Sequence, residues 1–211
     1  MNIKNISCIL FDFDGVLIDS LYVMEISWES VQKKYSIPNK FSEFKKFIGL
    51  PFNEILYKLN INSNFHYSIK KHYQKVSSLN KALIKLNPYV KEVLDWLRDN
   101  SIDIGIVTSK DKVRTYELVE YFQLNIKTLI TPELTKLGKP ASEPILYAVK
   151  ELNVDIKKVV YIGDMQTDMR CAFNTKCNYL HYAKGYQKII NQNYGGQIYS
   201  LTDIIEYIKN F

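Results

Sequence analysis

Residues 6–20 read ISCILFDFDGVLIDS, and the fold turns on the apolar run that opens them and the carboxylates that end it. β-Branched and aromatic side chains fill positions 6–13 and Asp14-Gly15 supplies a turn signal, so the stretch predicts a buried strand delivering Asp12 and Asp14 at its end. Three further short runs share this character, at 102–107, 128–130 and 159–162. Between them apolar residues recur at helical spacing: Val90, Val93, Leu94 and Leu97 after Asn87-Pro88, then Val113, Tyr116, Val119 and Phe122, then Ile145, Leu146, Val149 and Leu152. Strands alternating with helices of this length predict an α/β domain whose parallel sheet is covered on both faces. A final helix is expected to start at Ser200 and Asp203 and to run through Ile204, Ile205 and Ile208.

Residues 17–86 break the rhythm. They hold no convincing strand and read as several helices, including an aromatic- and lysine-rich stretch at 65–86. The expected organisation is a discontinuous α/β core, 1–16 with 87–211, and a helical cap, 17–86, hinged near 16–20 and 86–88. Segments 22–28 and 47–53 of the cap are expected to line a substrate, with Tyr22, Trp28 and Phe52 as the side chains that could face it.

Composition narrows the function. The chain has 211 residues, 46% of them hydrophobic, enough to bury a sizeable core. No stretch approaches the roughly 20 apolar residues of a membrane span, so a soluble cytoplasmic protein without a membrane partner is expected. Cys8, Cys171 and Cys177 make no even framework and lack zinc-site spacing, which fits buried thiols in a reducing compartment. The net charge of +6 comes mostly from scattered lysines, with Arg98, Arg114 and Arg170 the only arginines. That pattern argues against nucleic acid and for attraction of a small anion. His66, His72 and His181 are dispersed and read as structural or surface residues. Oligomeric state has no signal in the sequence.

Ligands of parallel α/β sheets bind beyond the carboxyl ends of the strands, so the residues following each run matter most. The first delivers Asp12, Asp14 and Gly15, the second Thr108 and Ser109 in IVTSK, and the fourth Asp164 and Asp168 in YIGDMQTD; Lys139, in LGKP, precedes a helix. Asp12, Asp14 and Asp164 concentrate negative charge that calls for a cation. Carboxylates with open positions for water and phosphate favour Mg²⁺ over zinc, and no histidine or cysteine stands in these motifs. A carboxylate nucleophile, a second carboxyl for protons, a hydroxyl, a lysine and a metal make a complete set for phosphoryl transfer. Gly15, Ser109 and Lys139 are the expected substrate contacts.

These motifs, in this order, resemble the haloacid dehalogenase superfamily, and DxDGxxxDS followed by a helical insertion resembles its phosphoglycolate phosphatase and β-phosphoglucomutase-like branch. The resemblance covers nearly the whole chain and implies a Rossmann-like parallel core. By it Asp12 would be the nucleophile, Asp14 the general acid and base, and Thr108 and Lys139 the phosphate clamp. Asp12, the Asp14 backbone carbonyl and Asp164 would hold Mg²⁺, with Asp168 behind them. The implied activity is hydrolysis of a small phosphate monoester, a phosphorylated metabolite, through an aspartyl-phosphate. The alternatives are a mutase of the β-phosphoglucomutase type and a non-catalytic binding protein. Met24 and Phe52 stand where mutase-like members carry a cap histidine and arginine, which argues against a mutase.

Overall fold

A computed structural model describes residues 6–187 and 194–210. In chain order its elements are β1 (Cys8–Phe11), β2 (Ile18–Asp19), α1 (Leu21–Tyr35), α2 (Phe41–Phe44), α3 (Phe52–Lys58), α4 (His66–Leu79), β3 (Lys85–Leu86), α5 (Val90–Asp99), β4 (Asp103–Val107), α6 (Lys112–Tyr121), β5 (Thr128–Ile130), α7 (Glu143–Leu152), β6 (Val159–Gly163), α8 (Gln166–Thr175), β7 (Asn178–Tyr182), β8 (Gly196–Ile198) and α9 (Asp203–Asn210). Six strands form a parallel sheet in the order β5-β4-β1-β6-β7-β8. The strand order reverses direction at β1, between β4 and β6, which places the crevice for a ligand at its carboxyl end.

Alternation within β1 explains the layers. Ile9 and Phe11 pack on one face with Val93, Leu97, Leu118 and Ile204, from α5, α6 and α9. Cys8 and Leu10 face the other way, against Ile145 and Ala148 of α7 and Ala172 of α8. All three cysteines are buried and free, as expected. A third apolar cluster joins Trp28, Val31, Phe44, Ile55, Leu56 and Ile69 of the inserted helices. Trp28 packs against Phe44 with the rings tilted by 33° and their centroids 4.6 Å apart, and its indole N–H donates to the Asn39 carbonyl (2.9 Å). No helix among the described residues is long and apolar enough to cross a membrane.

Four local expectations need correction. The first strand is shorter than 6–13: its ladder ends at Phe11, although the Asp12 amide still donates to the Ile162 carbonyl (2.8 Å). The insertion is not free of strand, because β2 and β3 pair antiparallel where the chain leaves and re-enters, with Asn87 tying the junction by donating to the Gly15 and Val16 carbonyls (3.0 and 2.8 Å). β7 and β8, unanticipated, extend the sheet beyond β6. Helix α6 buries Val119 and packs Phe122 on the core as expected, but Val113 and Tyr116 are exposed, and Arg114, Thr115 and Leu118 are buried in their place. Polar anchors hold the buried face. The Asp111 carboxylate caps α6 through the Arg114 amide (3.1 Å), and the Arg114 guanidinium pairs with Glu117 and donates to the Ser77 carbonyl of α4 (3.1 Å).

Candidate active site

Every residue singled out at the strand ends except Asp168 and Lys139 emerges from a loop directly following β1, β4 or β6, and those two reach in from α8 and the loop before α7. Lys139 is only 2% exposed. Its ammonium donates to Asp168 Oδ1 (2.6 Å) and the Tyr161 hydroxyl (3.1 Å), and lies 2.9 Å from Asp12 Oδ1 as an ion pair lacking hydrogen-bond alignment. Burial by itself would lower the Lys139 pKa; Asp12 and Asp168 outweigh it and hold the value above that of a free lysine.

Asp168 is satisfied on both oxygens. Oδ1 accepts from Lys139 and Tyr161, and Oδ2 accepts from the Asp164 and Met165 amides (3.2 and 2.9 Å). The carboxylates of Asp12, Asp164 and Asp168 offer oxygens within 4.8 Å of one another. Asp164 Oδ2 accepts from the Tyr186 amide (2.5 Å), but its buried Oδ1 has no hydrogen-bond partner. Burial, followed by the charges of Asp168 and Asp12, pushes Asp164 well above the usual carboxylate range, against the lowering effect of the Tyr186 amide and Lys139. Burial likewise raises Asp12 to about 7, with Lys139 opposing and Asp168 and Asp14 reinforcing the rise. Buried acid with an unpartnered oxygen is what a hard divalent cation on oxygen ligands would stabilise, so the donor set fits Mg²⁺. Asp168 is already fully engaged, which leaves Asp12 and Asp164 as the carboxylates open to a metal.

Asp14 is placed apart from this trio. Its Oδ1 accepts from the Ser20 hydroxyl and its Oδ2 pairs with Lys110 Nζ (3.0 Å). Gly15 permits the crowding here, since its φ is +88° and a Cβ would lie 2.2 Å from Asp164 Oδ2. Thr108 is buried, and its hydroxyl oxygen accepts from the Lys110 amide (3.1 Å). Ser109 gives its proton to the Gly49 carbonyl (2.6 Å), joining the inserted segment to the core.

A cleft of about 650 Å³, counted with its open mouth, runs over these groups. Asp12, Asp14, Thr108, Ser109 and Lys110 form its floor, while Met24, Phe52, Lys70, Tyr73 and Gln74 come from α1, α3 and α4. Segment 47–53 lines it as expected, through Ile48, Gly49, Leu50 and Phe52. Segment 22–28 contributes only Met24: Tyr22 is exposed, and Trp28 is sealed within the helical cluster. Lys70, Tyr73 and Gln74 carried no signal in the sequence, because the facing of α4 depends on its packing. Tyr161 had one, being a hydroxyl within the aliphatic buried run VVYIG that needs a partner; it bonds Val107 and Asp168.

A parallel sheet carrying clustered carboxylates at its switch point, beneath a helical insertion, defines a class of α/β protein with an acid-rich ligand site. Comparison with known proteins specifies which: a family model described as "Haloacid dehalogenase-like hydrolase" matches residues 9–181, and the chain belongs to that family. It is 25% identical over 174 residues to the "Phosphorylated carbohydrates phosphatase" of Thermotoga maritima, covering 78% of this chain and 79% of the relative. It is 24% identical over 223 aligned positions to the "Phosphoglycolate phosphatase" of Nitrosococcus oceani, covering 99% and 97%. The crystal structure of a hydrolase from Pseudomonas syringae superposes with a TM-score of 0.88 at 21% identity, covering 97% of this chain and 99% of the other, a likeness of fold.

Proposed function

We propose that this protein is a phosphatase that hydrolyses a small phosphate monoester through a phosphoryl group carried on Asp12. The observation that carries the reading is the convergence of Asp12, Asp164, Lys139 and Thr108 at the carboxyl ends of adjoining strands, beneath a cleft that also admits Asp14. An Asp12 oxygen attacks phosphorus and the ester P–O bond breaks, with Asp14 supplying the proton to the leaving oxygen. Asp14 then takes a proton from water as the water attacks the acyl phosphate, and inorganic phosphate leaves with Asp12 restored. Lys139 and Thr108 hold the phosphoryl oxygens. Asp12, the Asp14 carbonyl and Asp164 would hold Mg²⁺, which when bound supplies positive charge against the oxygens of the transferring group.

Residues 17–86 serve in this reading as a cap that closes over the site and excludes water. Met24 and Phe52, where mutase-like members carry a histidine and an arginine, are uncharged in the cleft wall, which supports hydrolysis over transfer within a bound sugar phosphate, while Lys70 of α4 is a cation the cap side brings to the cleft. The names of the relatives support phosphate-ester chemistry and leave the leaving group open. The test is phosphate release from a panel of esters with Mg²⁺, by wild type and by Asp12→Asn. The variant should lose activity by on the order of 10³-fold or more while keeping its circular dichroism spectrum. Turnover near the wild-type rate by that variant would overturn the reading.

A further inference from the structure

We propose that Tyr186 is a positioning residue that locks Asp14, Asp164 and the start of the cap into one register, an inference that rests on the acid–base role given to Asp14 above. Tyr186 touches Asp164 and Ser20 directly and reaches Asp14 through the Ser20 hydroxyl. Its backbone N–H donates to Asp164 Oδ2 (2.5 Å), and its hydroxyl oxygen accepts from the Ser20 amide (2.9 Å). The same hydroxyl lies 3.1 Å from Ser20 Oγ. Ser20 Oγ has one proton, which goes to Asp14 Oδ1, so the Tyr186 O–H must be the donor to Ser20 Oγ. The result is a directional chain, Tyr186 to Ser20 to Asp14, that spans 166 positions of sequence.

The segment carrying Tyr186 is built for this contact. Gly185 passes so close to Asp164 that a Cβ there would lie 2.2 Å from the Asp164 Cβ. Gln187 fixes the other side: its side-chain oxygen accepts from the Gln166 amide at the start of α8 (2.8 Å), and its carbonyl lies 2.8 Å from His181 Nε2. Ser20 precedes α1 in the N-cap position yet makes no side-chain cap bond to that helix, its hydroxyl being turned to Asp14. The ring of Tyr186 also packs against the apolar cluster of the cap. Thus a core loop holds both carboxylates and the residue on which the cap's first helix begins.

Tyr186→Phe in the full chain tests this, since it keeps the ring and the amide and removes only the hydroxyl. In the metal-free protein, NMR-detected exchange of the Ser20 amide should accelerate about 10-fold or more, because that N–H loses its acceptor. With p-nitrophenyl phosphate and Mg²⁺, kcat should fall about 10- to 100-fold, KM should stay within about twofold, and the Mg²⁺ requirement should be unchanged. The Ser20→Ala variant should show the same split, and the double variant should be no slower than the slower single one. Unchanged Ser20 exchange, wild-type kcat in Tyr186→Phe, or additive losses in the double variant would each overturn the proposal. A wild-type protein that releases no phosphate from any ester would instead defeat the phosphatase reading, and the exchange experiment would still decide whether Tyr186 holds Ser20.

Discussion

At the scale of single residues, the site is governed by how much buried negative charge one lysine can answer. Lys139 faces Asp12 and Asp168 and is itself sealed from water, so removing either partner exposes an imbalance. Asp168→Ala would leave Lys139 one carboxylate short and free the Asp164 and Met165 amides, at a cost of about 3–5 kcal/mol. Chemical denaturation should show that loss; a variant as stable as wild type would mean that the pair is offset by relaxation. Asp12 gives a pH signature. Its folded value is about 7 against an ordinary 3.8, so between these values the metal-free folded chain holds the extra proton and loses stability as pH rises. Cation binding relieves that loss, so the rise in Tm on adding Mg²⁺ should be larger at about pH 7.5 than at about pH 5. Equal rises would show that Asp12 ionises there without help.

At the scale of elements, short connections matter more than the helices they join. The turn from Phe13 to Ile18 brings Gly15 against Asp164, and the paired β2 and β3 hold the two crossings of the chain side by side. Gly15→Ala would meet both a positive φ and a Cβ contact of 2.2 Å with Asp164, so the carboxylate must move. The expected outcome is Mg²⁺ binding weakened about 10- to 100-fold by calorimetry, with the far-UV spectrum retained. Ser109 makes the complementary link from the β4 end to the inserted segment, through the Gly49 carbonyl. Although the sequence placed Ser109 among substrate contacts, its hydroxyl proton is committed to Gly49; what it offers a substrate is its place in the cleft.

At the scale of the whole molecule, two apolar bodies meet over a polar floor, and the cleft takes its character from both. The sheet side supplies carboxylates and Lys110; the helical side supplies mostly apolar walls with Lys70 and Gln74 among them. Lys70 lies 3.8 Å from Glu133, a loose surface pair that leaves the ammonium available to an anionic substrate. Lys70→Ala should therefore raise KM by about threefold to 30-fold and leave kcat nearly unchanged, the mark of binding lost equally in ground and transition states. An unchanged KM across the ester panel would place the leaving group elsewhere.

Local pattern made the core and the residues at the strand ends readable in advance. Short continuous apolar runs, as expected of strands buried on both faces, mark β1, β4, β5 and β6, and the carboxylate, hydroxyl or turn glycine that follows each lies at a strand end. For that reason Asp12, Asp14, Thr108 and Asp164 were recognisable from sequence, with Lys139 and Asp168 beside them. The assignment of partners was not recognisable. That Lys110 takes Asp14, that Ser109 takes Gly49, that Tyr186 reaches Ser20, and that α6 buries Arg114 while exposing Val113 all depend on groups from distant segments finding one another. β7 and β8 were missed for a related reason: NYLHY and GQI are short, interrupted by polar residues and hold no continuous apolar run, so their strand state rests on pairing with β6 and with each other. Which chemical groups stand at the strand ends follows from the order of residues along the chain, since strand direction and side-chain period are local properties of the backbone. Which of those groups are satisfied and which remain open to a metal or substrate is set by the fold, since a hydrogen bond or ion pair is completed by atoms that the chain brings together on folding.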